Sequence, residues 1–238
     1  MKKTLLIINM AFMLVSLGTI CHAEPELTIS EDSVDFGIVL QNIRLPHTFW
    51  LKSTGDDTLK IIKVIPGCGC IKTPLQTNII PPGDSTKFEV LYDTRKYRGK
   101  ITKRPRIRTN EANPDHVITI TSQIEIRPDA TYPVVVTPYK IDMTPDGNNK
   151  PKKRIFTLTN ITDKDLYLKP LFYPEEISKV KLPKKIKAGE TAEGEIKLSK
   201  NGLKQAFEKS FTFEVKGHYT YRFTVPVIRD SNQLIENK

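Results

Sequence analysis

From residue 24 onward the chain alternates apolar and polar positions with a period of two almost without interruption. Ile118, Ile120, Ile124 and Ile126 share one parity, while Thr119, Thr121, Gln123 and Glu125 share the other. Tyr219, Tyr221, Phe223 and Val225 repeat that pattern near the end of the chain. Successive side chains of an extended strand leave opposite faces, so such a segment buries one face and wets the other. About seven segments of this kind occur in each half, punctuated by Pro, Gly, Asn and Asp, and that spacing predicts an all-β fold built of sandwiches. Only the stretch from Asn201 to Ala206 reads as a helical turn.

The two halves repeat one another at an offset of 106 to 107 residues. Phe49-x-Leu51 is followed by Leu59-x-Ile61, and Phe156-x-Leu158 is followed at the same distance by Leu166-x-Leu168. A polar turn separates each pair, Ser53-Thr-Gly-Asp-Asp57 in one half and Asn160-Ile-Thr-Asp-Lys164 in the other. Gly83-Asp84-Ser85 then opens a strand holding Val90 and Tyr92, as Gly189-Glu190-Thr191 opens one holding Ile196 and Leu198. The order predicts two tandem immunoglobulin-like β-sandwich domains, residues 24–128 and 134–238. Pro128 and Pro133 bracket a short polar linker over 129–133, which restricts the relative orientation of the domains without fixing it.

Residues 1–23 do not alternate. Lys2 and Lys3 precede an apolar run from Leu5 to Leu17, and Cys21-His22-Ala23 supplies a small-residue cleavage site, the pattern of a secretory signal peptide. The run is shorter than the roughly 20 residues that cross a bilayer, and Glu24-Pro25-Glu26 follows at once. Lipidation at Cys21 fits poorly, because Thr19 and bulky Ile20 precede it. The expectation is an exported protein of the periplasm or cell surface with no membrane span in its mature form. Of the chain's 37 Lys and Arg residues, losing Lys2 and Lys3 leaves 35 against 27 acidic ones, a net charge of +8. An exported chain does not ordinarily meet nucleic acid, so the partners expected are envelope proteins with acidic faces or anionic surface polymers.

Several elements of the first half carry a resemblance: Val34-Asp-Phe-Gly37, the strand and turn from Phe49 to Thr58, Ile65-Pro-Gly-Cys-Gly-Cys70 and Ile80-Pro-Pro-Gly83. Val90-Leu-Tyr-Asp93, Gly99-Lys100 and Ile107-Arg-Thr-Asn110 continue it. In this frame the segment resembles the domain-of-unknown-function family numbered 1573, itself similar to the ASPM, SPD-2, Hydin group of immunoglobulin-like folds. The resemblance implies that fold and export, and implies no activity. Ile71 departs from it, since the family usually has a hydroxyl residue after the second cysteine. The second half has Glu175 and Ile177 where the cysteines would be and reads as a diverged relative.

Candidate chemistry is sparse. The mature chain has three histidines, His47, His116 and His218, and no recognisable metal, nucleophile or phosphate-loop motif, so no catalytic residue, cofactor or metal site is assigned and the chain is expected not to be an enzyme. Cys68 and Cys70 admit three readings. In an extended strand their Cα atoms would lie about 6.6 Å apart on one face, within bridging range, which allows a structural disulfide in an oxidising compartment. Two thiolates on one loop would also suit copper(I) or zinc, and a short strained ring would suit thiol-disulfide exchange. The second feature is a run from Thr94 to Arg108 with eight basic and no acidic residues. Lys100, Arg104, Arg106 and Arg108 share a parity opposite to Ile101, Pro105 and Ile107, either as a polyanion contact or as the charged face of a strand guarding a sheet edge. The function expected is a non-enzymatic interaction module of the envelope. The alternative is a thiol-redox or copper-handling protein using Cys68 and Cys70.

Overall fold

A computed structural model describes residues 23–146 and 149–230. The predicted signal peptide lies outside the described residues except for Ala23. The first half contains β1 (Leu27–Ile29), β2 (Ser33–Leu40), β3 (Arg44–Ser53) and β4 (Leu59–Ile65). The short β5 (Ile71–Lys72) and β6 (Ile79–Ile80) precede β7 (Ser85–Asp93), β8 (Gly99–Lys103) and β9 (Arg106–Thr109). β10 (Asp115–Val117), β11 (Thr119–Glu125) and a 3-10 turn at Pro128–Ala130 complete it. The second half contains β12 (Val134–Thr137), β13 (Ile141–Asp142), β14 (Lys153–Asn160), β15 (Leu166–Phe172) and β16 (Ser178–Lys181). It ends with β17 (Lys185–Ile186), β18 (Thr191–Leu198), β19 (Phe207–Lys216) and β20 (Thr220–Arg229).

The repeat read from the sequence is a repeat of strand pairing. One layer of the first half runs β1-β3-β7-β5, and its counterpart in the second half runs β12-β14-β18-β16. The opposing layers contain β6-β4-β9-β10 with β8-β11-β2 in the first half, and β17-β15-β19-β20 with β13 in the second. Pro105 splits the strand that continues as β8 and β9. It lacks an N–H for the ladder, yet its carbonyl accepts a 3.0 Å bond from the Ile118 N–H, so the neighbouring strand is held across the gap. The repeated apolar positions meet inside each sandwich: Phe49 and Phe156, Leu59 and Leu166, Val90 and Ile196 are all buried. Ile126, which shares parity with the core isoleucines, is instead 56 % exposed, because β11 ends at Glu125. The stretch at 201–205 is a turn rather than helix, closed by a 3.1 Å bond from the Gly202 N–H to the Ser199 hydroxyl.

The halves do not hang from a hinge. One eight-stranded sheet runs through both, because β2 lies between β11 on one side and β20 on the other. Backbone register between β2 and β20 is a single parallel pair, Ile38 with Phe223, so side chains supply the rest of the seam. Phe36 and Gly37 together oppose Ser122, a bulge that takes the Phe36 carbonyl out of the ladder. The Thr224 hydroxyl donates to that carbonyl at 2.7 Å, and Thr224 is wholly buried. The Tyr139 hydroxyl lies 2.8 Å from the Ile38 carbonyl and 2.9 Å from the Thr224 carbonyl, sharing its one proton between the two halves. Burial drives the Tyr139 phenol far above its usual range, so it is a permanent donor. Gly37 has φ of 64°, and a Cβ there would overlap the Arg222 carbonyl. Only glycine meets both demands at once.

Candidate functional site

Three surface features deserve comparison, beginning with the cysteines. β4 ends at Ile65, and the chain turns through Pro66 and Gly67, whose φ of 80° is left-handed. Cys68 and Cys70 are joined in a disulfide with Cα atoms 5.2 Å apart, tighter than a regular strand would place them. Both are half-buried and pack against the core. The Cys70 carbonyl accepts a 2.8 Å bond from the Asp93 N–H, tying the loop to β7. Ile71, the departure from the resembling family, is buried and paired with Tyr92. A disulfide offers no thiolate, so copper or zinc ligation would require reduction of the pair first.

Along β8 and β9 the parity predicted for the basic run is the parity of exposure. Lys100, Arg104, Arg106 and Arg108 face solvent, while Pro105 and Ile107 are buried. Arg108 is gripped by Asp115 on β10, with Nε to Oδ1 at 2.9 Å and Nη2 to Oδ2 at 2.8 Å. That bidentate hydrogen bond holds the Asp115 carboxyl below its usual range. At the end of β7, partial burial pushes the Asp93 carboxyl up, but hydrogen bonds from Arg95 overcome it and the net shift is downward. The structure also brings the two sequence candidates together. Ile65 pairs with Arg106 across β4 and β9, and a Cβ at Gly67 would sit 3.5 Å from the Arg104 carbonyl. The disulfide loop therefore flanks the basic ladder.

The third feature was not singled out in the sequence. Where β19 meets β3, the halves are joined by Lys209 with Glu89 at 3.1 Å and Arg44 with Glu208 at 3.0 Å. Beside these contacts opens a groove of about 760 Å³. Trp50, Leu171 and Phe172 line it, 46 %, 40 % and 44 % exposed. The His47 ring lies on its floor, 5.7 Å from Phe172 and 4.7 Å from Phe49, and its Nε2 contacts Glu31 at 2.6 Å. Lys87, Glu89, Glu175, Glu176 and Lys209 provide charges of both signs at the rim. Of the other histidines, His116 is held by Glu111 at 2.7 Å and His218 stacks edge-on against Tyr219. The missed signal was Leu171-Phe172-Tyr173, a run of apolar residues that breaks the alternation of β15 just before the positions equivalent to the cysteines of the first half.

Residues 27–124 match the model of the DUF1573 family, described as a protein of unknown function. No curated protein matches the chain. Among solved structures, a protein of unknown function from Porphyromonas gingivalis W83 is 12 % identical, with 85 % of this chain and 99 % of that one covered and a TM-score of 0.35. The ASH/PapD-like domain 7 of human CEP192 is 9 % identical, with 48 % and 96 % covered and a TM-score of 0.37. The VesB protease of Vibrio cholerae is 12 % identical over 42 % of this chain at a TM-score of 0.35, and the chain spans 31 % of its length. With the strand order and disulfide loop described above, residues 27–124 form an immunoglobulin-like domain similar to the DUF1573 family.

Proposed function

We propose that this chain is a non-enzymatic, exported interaction module of the cell envelope that holds an apolar segment of another protein. The observation that carries the reading is the groove between the sandwiches, where Trp50, Leu171 and Phe172 stand exposed side by side. Large apolar side chains clustered on a surface and rimmed by charge mark binding sites, and grooves between domains are favoured places for them. Such a groove is useful only if its walls keep their spacing. The buried seam at Gly37, Tyr139 and Thr224 supports that, because it joins β2 of the sandwich that carries Trp50 to β20 of the sandwich that carries Phe172 through buried hydrogen bonds.

The test uses the chain's single tryptophan as reporter. Protein labelled with 5-fluorotryptophan gives one fluorine resonance, from Trp50, that can be followed in a crude mixture. Envelope extract from the source cells is expected to shift or broaden that signal, and Phe172→Ser is expected to abolish the response. A resonance unchanged by extract, or a response that survives the substitution, contradicts the reading.

A further inference from the structure

The basic ladder and the disulfide loop are neighbours, and the groove uses neither. We propose that together they form a docking site for a linear, phosphate-bearing polymer. The site does not depend on the protein-binding reading of the groove.

The charges have a regular geometry. Positions 100, 104, 106 and 108 leave the same face, and alternate residues of a strand are separated by about 6.6 Å along its axis. Lys63 stands across from Arg108 on β4 and extends the row sideways. Asp115 satisfies Arg108. Lys63, Lys100, Arg104 and Arg106 make no salt bridge among the described residues, whereas Arg44, Arg95, Arg222 and Lys209 elsewhere do. A strand face that only guarded an edge would need scattered charge. This one instead sets Lys100, Arg104 and Arg106, none of them in a salt bridge, on one line with Lys63 beside it.

The loop adds a second, independent kind of donor. Among the described residues the backbone N–H groups of Gly67, Cys68, Gly69 and Cys70 donate no hydrogen bond to the protein. Nothing lies within 4 Å of a Cβ built at Gly69, so the outer side of the loop is open. Turns that contain left-handed residues and present successive free N–H groups bind anions, phosphate above all. The disulfide holds this strip of donors against the Arg104 backbone, at the end of the arginine row. Guanidinium groups bind phosphate oxygens through two parallel hydrogen bonds, which a lysine cannot do, and two of the four unpaired cations are arginines. A chain of phosphates laid along β8 and β9 would thus meet cationic side chains along its length, guanidinium forks on the β9 side, and amide donors beside Arg104 where the two strands join.

The experiment measures binding of long-chain inorganic polyphosphate to the full mature protein over a range of salt, with polyglutamate as the comparison polymer. For a flexible polyanion the logarithm of affinity falls by roughly 0.7 per phosphate neutralised for each unit of log salt. The triple variant Lys100→Gln, Arg104→Gln, Arg106→Gln should lower that slope by about 2 and weaken binding at least tenfold near 0.1 M salt. Cys68→Ala with Cys70→Ala changes no charge, so it should weaken polyphosphate binding severalfold while leaving the slope alone. Polyglutamate should bind more weakly than polyphosphate and be indifferent to the cysteine change. The proposal is overturned if the triple variant binds as the unsubstituted protein does, if polyglutamate binds as tightly with the same slope, or if loss of the disulfide leaves binding intact.

Discussion

Tyr139→Phe isolates the seam from everything else in the fold. The substitution keeps the aromatic ring and its volume, and Tyr139 is only 5 % exposed, so packing is preserved and a single hydroxyl is removed. That hydroxyl serves the carbonyls of Ile38 and Thr224 at 2.8 and 2.9 Å, one from each half. The site is buried, and leaving a buried polar group without its partner costs about 1–3 kcal/mol. We take about 2 kcal/mol as the expected loss. For a chain of this size each kcal/mol moves Tm by roughly 2–4 °C, so the variant should melt about 4–8 °C lower. Calorimetry and urea unfolding should agree on the loss. Combining Tyr139→Phe with Thr224→Val should cost less than the sum of the single changes, because both act on one hydrogen-bonded cluster. A drop in Tm below about 1 °C would refute the reasoning, since by the same conversion it leaves the hydroxyl worth less than any buried hydrogen bond should be.

Gly37→Ala should be more damaging, losing at least about 2 kcal/mol, because the new Cβ meets both an unfavourable left-handed backbone and the Arg222 carbonyl; thermal denaturation checks it. Cys68→Ala with Cys70→Ala should change global stability by less than about 1 kcal/mol, since closing so short a loop removes little chain entropy from the unfolded state; urea titration decides. Asp115 titrates lower in the folded chain than in the unfolded one, so its contribution is complete above the unfolded value and fades as pH falls through the folded one. Arg108→Gln should therefore raise the Asp115 midpoint in a carboxyl-carbon NMR titration, while an unmoved midpoint would show that the ion pair is not formed. Fragments 24–128 and 134–238, made separately, should be β-rich yet reassociate when mixed, because each exposes half of the seam; failure to associate in sedimentation would count against it.

Strand content and the internal repeat were legible because they rest on local periodicity, and a period of two needs no knowledge of the partner strand. Phe49 and Phe156 could be matched from their surroundings alone, and both are buried. The exposed row of Lys100, Arg104, Arg106 and Arg108 was legible for the same reason. The seam was not. Tyr139 and Thr224 act on carbonyls 101 and 188 residues away, and nothing in their local sequence announces such partners. Two prolines around a short connection suggested a restricted but unfixed orientation, and the pairing of β2 with β20 rests on strand edges that no local pattern describes. The neighbourhood of the cysteine loop and Arg104 depended likewise on the register of β4 against β9, which spacing along one strand cannot supply. Trp50 sat in plain view on the outward parity of β3, between buried Phe49 and Leu51, and only the second half's Phe172 gave that exposure a meaning.

The most direct measurement of whether the groove binds a protein is site-specific photo-crosslinking in living cells, with a photoreactive phenylalanine at position 172 and, as control, at Ile62, an exposed apolar residue away from the groove. A groove that holds an apolar segment of a partner predicts a discrete adduct of one added mass from position 172, absent from position 62 and lost when Trp50→Ser is introduced. No adduct at 172, or the same adducts from both positions, would contradict it.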